Sequence, residues 1–428
     1  MSALTLNISE MKVILFDTND TFETLLPLCY TRPVSGFRVG ILTIKEKWER
    51  FLPGEYSALT AEYLREKFPV GISQDEEALF VAGNVLPNKR LADVVAALSA
   101  GSCLVDGDGI VAYRGNMHGF EAIQAENSGK KVGEDENNVN LFGHSTADTS
   151  VGNIRRIRYV FDVFRYNGEE IVRDYVLLVK GKNKQKLDPS VTLIGPKNLT
   201  GGLPSVYVEE GASVEGAILN VKNGPIYIGK DAIVMEGACL RGPVALCEHS
   251  LVRMGTKIYG ETTVGPFCKV GGELDNVVMF GYSNKAHDGY LGNAVIGHWC
   301  NLGAGATASN LKNDYSKIRI WNYHTRTFMR TDLQFCGLIM GDHSKAGINT
   351  MFNTATVVGV GVNLHGSGFP RTFIPSFSTG SPEGGFDNVV IDKFMETAGK
   401  VMARRDKTLT DADRHIFETI YRSASRFK

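Results

Sequence analysis

A chain of 428 residues with 46 Lys and Arg against 47 Asp and Glu has a formal net charge of -1 and 43% hydrophobic residues. That balance excludes a polyelectrolyte surface for nucleic acid or anionic lipid, and the length predicts two or three domains rather than one core. The N-terminus MSALTLNISEMKVILFD has no basic region followed by an apolar one, no run is long enough to span a bilayer, and the seven cysteines (Cys29, Cys103, Cys239, Cys247, Cys268, Cys300, Cys336) lack zinc spacing. Together these features predict a cytoplasmic protein with reduced, mostly buried thiols and no membrane or nucleic-acid partner.

Residues 1–190 alternate between strand and helix patterns. KVILFD reads as a short aliphatic strand, IKEKWERFL and TAEYLREKF as helices, EALFVAGN as a second strand and LADVVAALSAG as a further helix. This alternation predicts an α/β domain with a helix-covered sheet. Neither GxGxxG after the first strand nor GxxxxGK[ST] is present, so the dinucleotide fingerprint and the P-loop are excluded. Chemistry-bearing residues concentrate in LLPLCYTRPVSGFRVGILTIKEKW, residues 25–48. Arg32 and Arg38 offer the bidentate fork that suits phosphate, Lys47 a point charge, and Gly40 a backbone free to approach a ligand. Surface ion pairs and a solvated helix face are the competing reading for the same residues. HSTADTSVGNIRRIR adds a local basic patch in a loop.

A period of six governs residues 191–384. Steps from Ile228 land on Val234, Leu240, Leu246, Val252, Ile258, Val264 and Val270; the rhythm returns at Ile296 and Leu302, then at Met340, Ala346, Phe352, Val358 and Leu364. Six is the hexapeptide signature of a parallel β-helix, with one inward aliphatic per short strand and three strands per triangular coil. The pattern breaks near 276–290 and 310–337, predicting loops that leave the coil. The second contains KIRIWNYHTRTFMR, a hairpin or an arm reaching a neighbouring subunit.

FPRTFIPSFSTGSPEGG then reads as an irregular connection, and residues 385–428 as two helices. NVVIDKFMETAGKVMARR puts Val390, Phe394, Ala398 and Met402 on one face, and TDADRHIFETIYRSA starts on a Thr/Asp cap and carries Ile416 and Ile420. A helical pair here caps the open end of the β-helix.

Within the repeat, KAHDGYLGNAVIG followed by NLGAGATASN resembles the acetyltransferase half of the bifunctional glucosamine-1-phosphate acetyltransferase/UDP-N-acetylglucosamine pyrophosphorylase family. The resemblance implies a left-handed coil and a homotrimer with sites between subunits. His287 would be the general base, since an imidazole can take a proton from a sugar amine near neutral pH. Tyr290 and Asn301 would orient the acceptor, Lys285 would meet its phosphate, and Asn310 would close the motif; Leu311 stands where the family has tyrosine. The backbone near Ala304 would stabilise the oxyanion, and Asn349 and Gly366 would lie along the groove for acetyl-CoA. A histidine at a β-helix turn also serves as an ordinary polar corner residue, and Asn301 as one rung of a ladder. His298, His343 and His365 read as surface or groove residues.

The LPL-x-x-TRP, R-x-G and EKW elements resemble a divergent sugar nucleotidyltransferase family, so the overall expectation is a Rossmann-like nucleotidyltransferase domain followed by a left-handed parallel β-helix and C-terminal helices. The implied chemistry is attack of a sugar 1-phosphate on the α-phosphate of UTP or another NTP, with Mg²⁺ neutralising charge. Asp17, ending the first strand, and Asp174, after FDVFRYNGEEIVRD with Asn167, are the metal candidates. Asn84 stands where pyrophosphorylases place a metal-binding aspartate, and is assigned to substrate. The resulting expectation is UDP-N-acetylglucosamine synthesis by two transfers. The alternatives are the same chemistry on another amino sugar, or a sensor that binds a sugar nucleotide without reacting.

Overall fold

KVILF forms the strand Lys12–Phe16, buried from Val13 onward, and pairs in parallel on both edges, with Glu55–Leu59 and with Ala78–Ala82. Burial on both faces explains its uninterrupted apolar run. Gly109–Gly115, Cys103–Asp106 and Asn140–Phe142 extend this sheet antiparallel to six strands. The computed structural model describes residues 11–127, 140–142, 154–182 and 185–427. Two compact units emerge: Met1–Phe22, Arg32–Phe37 and Leu42–Arg158 in one, and Glu23–Thr31, Arg38–Ile41 and Tyr159–Lys428 in the other. Spatial grouping thus interleaves stretches that the linear division at 190 keeps together.

In the first unit, Thr43 and Glu46 close a capping box at the start of the helix Ile44–Phe51, and Trp48, fully buried, donates its indole N–H to Val85 O at 2.9 Å. Two letters of the EKW element therefore build the fold. The helix Lys89–Ala96 forms as expected, capped by Asn88. TAEYLREKF does not become a regular helix: only the 3-10 turn Glu62–Leu64 forms, and Leu64 is its single buried residue, too little apolar face to hold more turns. Of the basic patch, residues 144–153 lie outside the described residues. Arg156, in the short strand Arg155–Arg156 paired with Val85–Leu86, is buried in a two-pronged ion pair with Asp106 at 2.8 and 3.0 Å.

The second unit is a parallel β-solenoid with C-terminal helices. Every aliphatic on the six-residue rhythm points inward and is at most 4% exposed. On one face Val208, Ile228, Leu246, Val264, Met279, Ile296, Met340, Val358 and Ile374 stand in register. Each such burial stabilises by roughly 1.5–3 kcal/mol, and the stacking of like on like from coil to coil makes the core a continuous column.

One expected loop is corrected. Residues 276–290 stay in the coil, because the corners between Val270 and Leu274, Leu274 and Met279, and Leu291 and Ile296 shorten, and the strands Glu273–Gly281 and Tyr290–His298 run continuously around the last two. The inward positions there are Leu274, Met279, Lys285 and Leu291, so the rhythm shortens instead of stopping. The 310–337 excursion does leave the coil, between the bridge partners Leu311 and Phe335, and holds the hairpin Arg319–Asn322 with Thr327–Arg330. That hairpin packs on its own chain, with Trp321 stacked on Phe373 at 4.2 Å and Tyr323 edge-on to Phe427.

Of the tail helices, Ile391–Ala403 buries Phe394, Ala398 and Met402 but leaves Val390, its N-cap, 55% exposed; Asp411–Ala424 starts on the Thr410/Asp413 capping box and buries Ile416 and Ile420. No helix among the described residues is long and apolar enough to cross a membrane.

Candidate functional sites

The solenoid face that contains Val252 and Val270 presents its outward residues in one ladder: Lys269 beside Asn284, Asn284 beside Asn301, Asn301 beside Lys345. These side chains line a cavity of about 530 Å³ together with His287, Ala304, Arg253, Tyr282, Trp299 and, from the end of the helix Ile391–Ala403 onward, Val401, Arg404 and Arg405. Glycine keeps the floor low: a Cβ on Gly303 would lie 2.6 Å from the backbone of Gly347 in the next coil. One wall carries Tyr282 and Trp299, corner residues with positive φ that stack at 4.2 Å and continue outside the cavity onto Phe267 at 5.1 Å. The stacking offsets the strain of that backbone conformation.

Five cationic side chains and no carboxylate line this cavity. Burial, then the neighbouring Arg405, Arg253 and Arg404, push the Lys269 ammonium below its usual pKa, and burial does the same to Lys345. Such uncompensated like charge makes an anion the natural occupant. Asn284 Oδ1 is shielded from solvent and has no hydrogen-bond partner among the described residues.

The structure thus brings together His287, Asn301 and Ala304 and separates them from the other expected residues of the motif. Tyr290 and Asn310 do not line the cavity; they form a second node, in which Asn310 Nδ2 donates to Tyr290 Oη at 2.9 Å and to Asn293 Oδ1 at 2.8 Å. Glu273 pairs in register with Tyr290, and burial, then Asp275, push the phenol up to about 12. The node is therefore acidic where a phosphate-binding corner would be basic. Asn349 donates its backbone N–H to Ala304 O at 2.8 Å, and Gly366 sits on an exposed corner of a later coil; neither lines the cavity.

Lys285 requires the largest correction. Instead of meeting a ligand phosphate, it occupies an inward position in register with Val270, is 0% exposed, and donates from Nζ to Gly271 O at 3.1 Å and to His287 O. Sequence reasoning also missed Arg253, Lys269, Lys345, Arg404 and Arg405. The signal for the two lysines was legible, since each immediately precedes an inward aliphatic just as Asn301 precedes Leu302.

In the first unit, Asp17 ends the strand Lys12–Phe16. Its Oδ2 accepts from Thr60 Oγ1 at 2.6 Å and from Val34 N at 3.2 Å, while Oδ1 is sealed from solvent with no hydrogen-bond partner among the described residues. A Cβ on Gly83 would lie 2.8 Å from Oδ1, so only glycine leaves that oxygen room. Burial pushes the carboxyl up to about 7. That unsatisfied carboxylate oxygen is of the type a hard cation takes, and a cation carrying waters and substrate phosphate would reach it only if the surrounding chain opened. No group of three or more His, Cys, Asp or Glu among the described residues forms a ready metal cage. Asn84 is spent on structure: Nδ2 donates to Ile157 O at 3.1 Å and Oδ1 accepts from Arg156 at 3.2 Å. Arg32 and Lys47 are both buried, at 6% and 1% exposure.

Asp174, Asn167 and Gly40 fall in the second unit, where they form a clamp instead of a metal or nucleotide site. Gly40, at φ +86°, donates its N–H to Asn167 Oδ1 at 2.7 Å and accepts at its carbonyl from Thr263 at 3.0 Å; Ile41 N–H donates to Asp174 Oδ2 at 2.8 Å. The close backbone approach expected of Gly40 is real but is made to Glu170 in the helix Asp162–Val179. Arg38 donates to Ile41 O in the same turn.

Residues 13–183 match the family model described as "Sugar nucleotidyl transferase". Over these residues the chain is similar to a sugar nucleotidyl transferase domain. Among curated proteins it is 25% identical over 206 residues to the "Bifunctional protein GlmU" of Nostoc sp., covering 44% of this chain and 41% of that protein. It is 27% identical over 209 residues to the protein of the same name from Bdellovibrio bacteriovorus, covering 42% and 43%. The matched region thus spans about two fifths of those relatives. Two solved structures also align, a UDP-N-acetylglucosamine acyltransferase from Arabidopsis (13% identity, 52% of this chain and 80% of that one, TM-score 0.22) and one from Campylobacter jejuni (12%, 54% and 95%, TM-score 0.23). Scores this low add nothing to the strand register already described. Residues 13–183 thus resemble a sugar nucleotidyl transferase, and the solenoid that follows carries a cationic cavity.

Proposed function

We propose that the protein makes UDP-N-acetylglucosamine by two transfers, acetyl from acetyl-CoA to glucosamine 1-phosphate in the solenoid and uridylyl from UTP to N-acetylglucosamine 1-phosphate in the nucleotidyl transferase domain. The observation that carries the first transfer is the placement of His287 and Asn301 in a cavity walled by five cations. The cations suit the phosphates of the donor, and the aromatic rings suit its base. His287 takes a proton from the sugar amine as nitrogen attacks the thioester carbonyl; the backbone near Ala304 stabilises the oxyanion, and the thiolate leaves and is protonated. Assembly as a homotrimer belongs to the same reading. The test is release of CoA from acetyl-CoA and glucosamine 1-phosphate, with loss of roughly 10²- to 10⁴-fold in kcat for His287→Ala; unchanged turnover in that variant defeats the assignment.

For uridylyl transfer, Asp17 is the residue that would hold Mg²⁺, which would neutralise the phosphates of UTP. Pyrophosphate release from UTP and N-acetylglucosamine 1-phosphate tests that half. A second reading, an acyl acceptor without a 1-phosphate, is favoured by Glu273 and Asp275 at the Tyr290 node. An amino-sugar panel with and without the phosphate separates the two. The engagement of Asn84 and Gly40 in structural bonds favours a sensor that binds nucleotide without turnover, an outcome seen as UTP binding with no pyrophosphate.

A further inference from the structure

A lysine in the core column of a β-solenoid is costly, because its charge leaves water for an interior of aliphatic neighbours. Lys285 stands in that column on Val270, and it is among the largest fully buried side chains of the chain. The corners on either side explain it. The lower corner is tight, running from inward Val270 through Gly271 and Gly272 to inward Leu274; the upper one is longer, running from Lys285 through Ala286, His287, Asp288 and Gly289 to inward Leu291. The longer corner overhangs the shorter one closely. A Cβ on Gly271 would come within 2.5 Å of Ala286 O, and one on Gly272 within 2.9 Å of both Asp288 Cα and His287 O. A longer turn resting on a shorter one leaves carbonyls facing inward without the N–H partners that regular coil stacking supplies. The Lys285 ammonium answers two of them at once, Gly271 O from the lower corner and His287 O from the upper.

On the reading that His287 is the acetyl-transfer base, we propose that Lys285 is its positioning residue: the buried ammonium pins the overhanging corner to the coil below and so sets where the imidazole stands in the cavity. Lys285 itself touches no substrate. An aliphatic residue would satisfy the core column equally well but would leave both carbonyls unpaired, so the lysine serves the corner and not the core. Burial lowers its pKa to about 8, with the Asp288 carboxylate as the charge that opposes the shift, in keeping with an ammonium held by carbonyl dipoles and no carboxylate contact.

The test uses the full chain with Lys285→Met, which keeps length and loses the donor, and Lys285→Gln, which restores N–H donors without charge. Amide hydrogen exchange over residues 286–290 is read by mass spectrometry, beside kcat and KM for CoA release. For Lys285→Met the expected result is exchange faster by about tenfold or more at this corner, and kcat lower by roughly 10- to 100-fold with both KM values within about twofold. Lys285→Gln recovers part of both effects, and remains informative if the Met variant does not fold. Unchanged exchange in both variants overturns the proposal, and so does a raised KM for the sugar phosphate at unchanged kcat, which would make Lys285 a substrate ligand. If the wild type releases no CoA, the acetyl-transfer reading fails, and corner exchange still decides whether Lys285 pins the turn.

Discussion

Lys345 stands directly beside Asn301 in the hydrogen-bonded ladder of one solenoid face, and both line the cavity that contains His287. The relationship ties a cation from the coil after the hairpin excursion to the motif before it. An inserted arm therefore leaves the register of the site untouched, because the coil resumes in frame.

The cationic wall predicts a kinetic signature. Arg404→Ser with Arg405→Ser removes two charges from the cavity, and is expected to raise KM for acetyl-CoA by about 10- to 100-fold, the worth of one or two charge-assisted contacts. With a short acetyl thioester lacking phosphates, KM stays unchanged. Equal losses with both donors would remove the donor's phosphates from this wall. Competition of the wild type by inorganic pyrophosphate, stronger at low salt, is the companion measurement.

The Gly40 clamp predicts instability instead of lost ligand binding. A Cβ at Gly40 would lie 2.7 Å from the backbone carbon of Glu170 and 2.5 Å from Asp174 Oδ2, in a backbone conformation of φ +86°. Gly40→Ala is expected to destabilise by about 2–4 kcal/mol, and Asn167→Ala by about 1–3 kcal/mol through the loss of bonds to Gly40 and Glu261. Thermal unfolding checks both. A variant of unchanged Tm with weakened UTP binding would return Gly40 to the nucleotide site.

Asp17 predicts a pH-dependent response to divalent cations. Its folded pKa is raised from 3.8 to about 7, so the folded chain holds a proton that the unfolded chain has lost; stability from this group is present below about pH 4 and declines as pH rises through about 7. A cation on Oδ1 competes with that proton. The Tm gain from Mg²⁺ with UTP is expected to be larger at pH 8 than at pH 6, and absent in Asp17→Asn, whose own Tm changes less across that range. A gain independent of pH would move the cation elsewhere.

Lys285 predicts the opposite slope at higher pH. Burial lowers its pKa from 10.5 to about 8, so between those values the unfolded chain binds the proton and the folded chain does not, and stability from this group rises with pH. The Tm difference between the wild type and Lys285→Met is therefore expected to shift in favour of the wild type from pH 8 to pH 10. A constant difference would mean that the lysine keeps an ordinary pKa.

The solenoid was legible because one inward aliphatic every six residues is a demand of the coil itself, which local sequence must meet at each step. The same reasoning failed at Lys285, where filtering for aliphatics hid an inward position, and so misread shortened corners as a departing loop. His287, Asn301 and Ala304 were legible as a short motif on one face. Arg404 and Arg405 were not, since nothing in a terminal helix indicates the coil against which its end will lie.

Sequence alone determined the elements whose cause is local or periodic: the aliphatic column of the coil, the cap at Thr410, and the short aliphatic strand KVILF. Tertiary structure decided which polar groups are left for chemistry. Arg, Asp and Asn residues look alike as letters, but Asn84, Asn167 and Asp174 each hold hydrogen-bond partners from distant parts of the chain, whereas Asp17 keeps one sealed oxygen unpaired. The distinction rests on the cost of burying a polar group without a partner, and partners brought from distant parts of the chain appear only once it is folded.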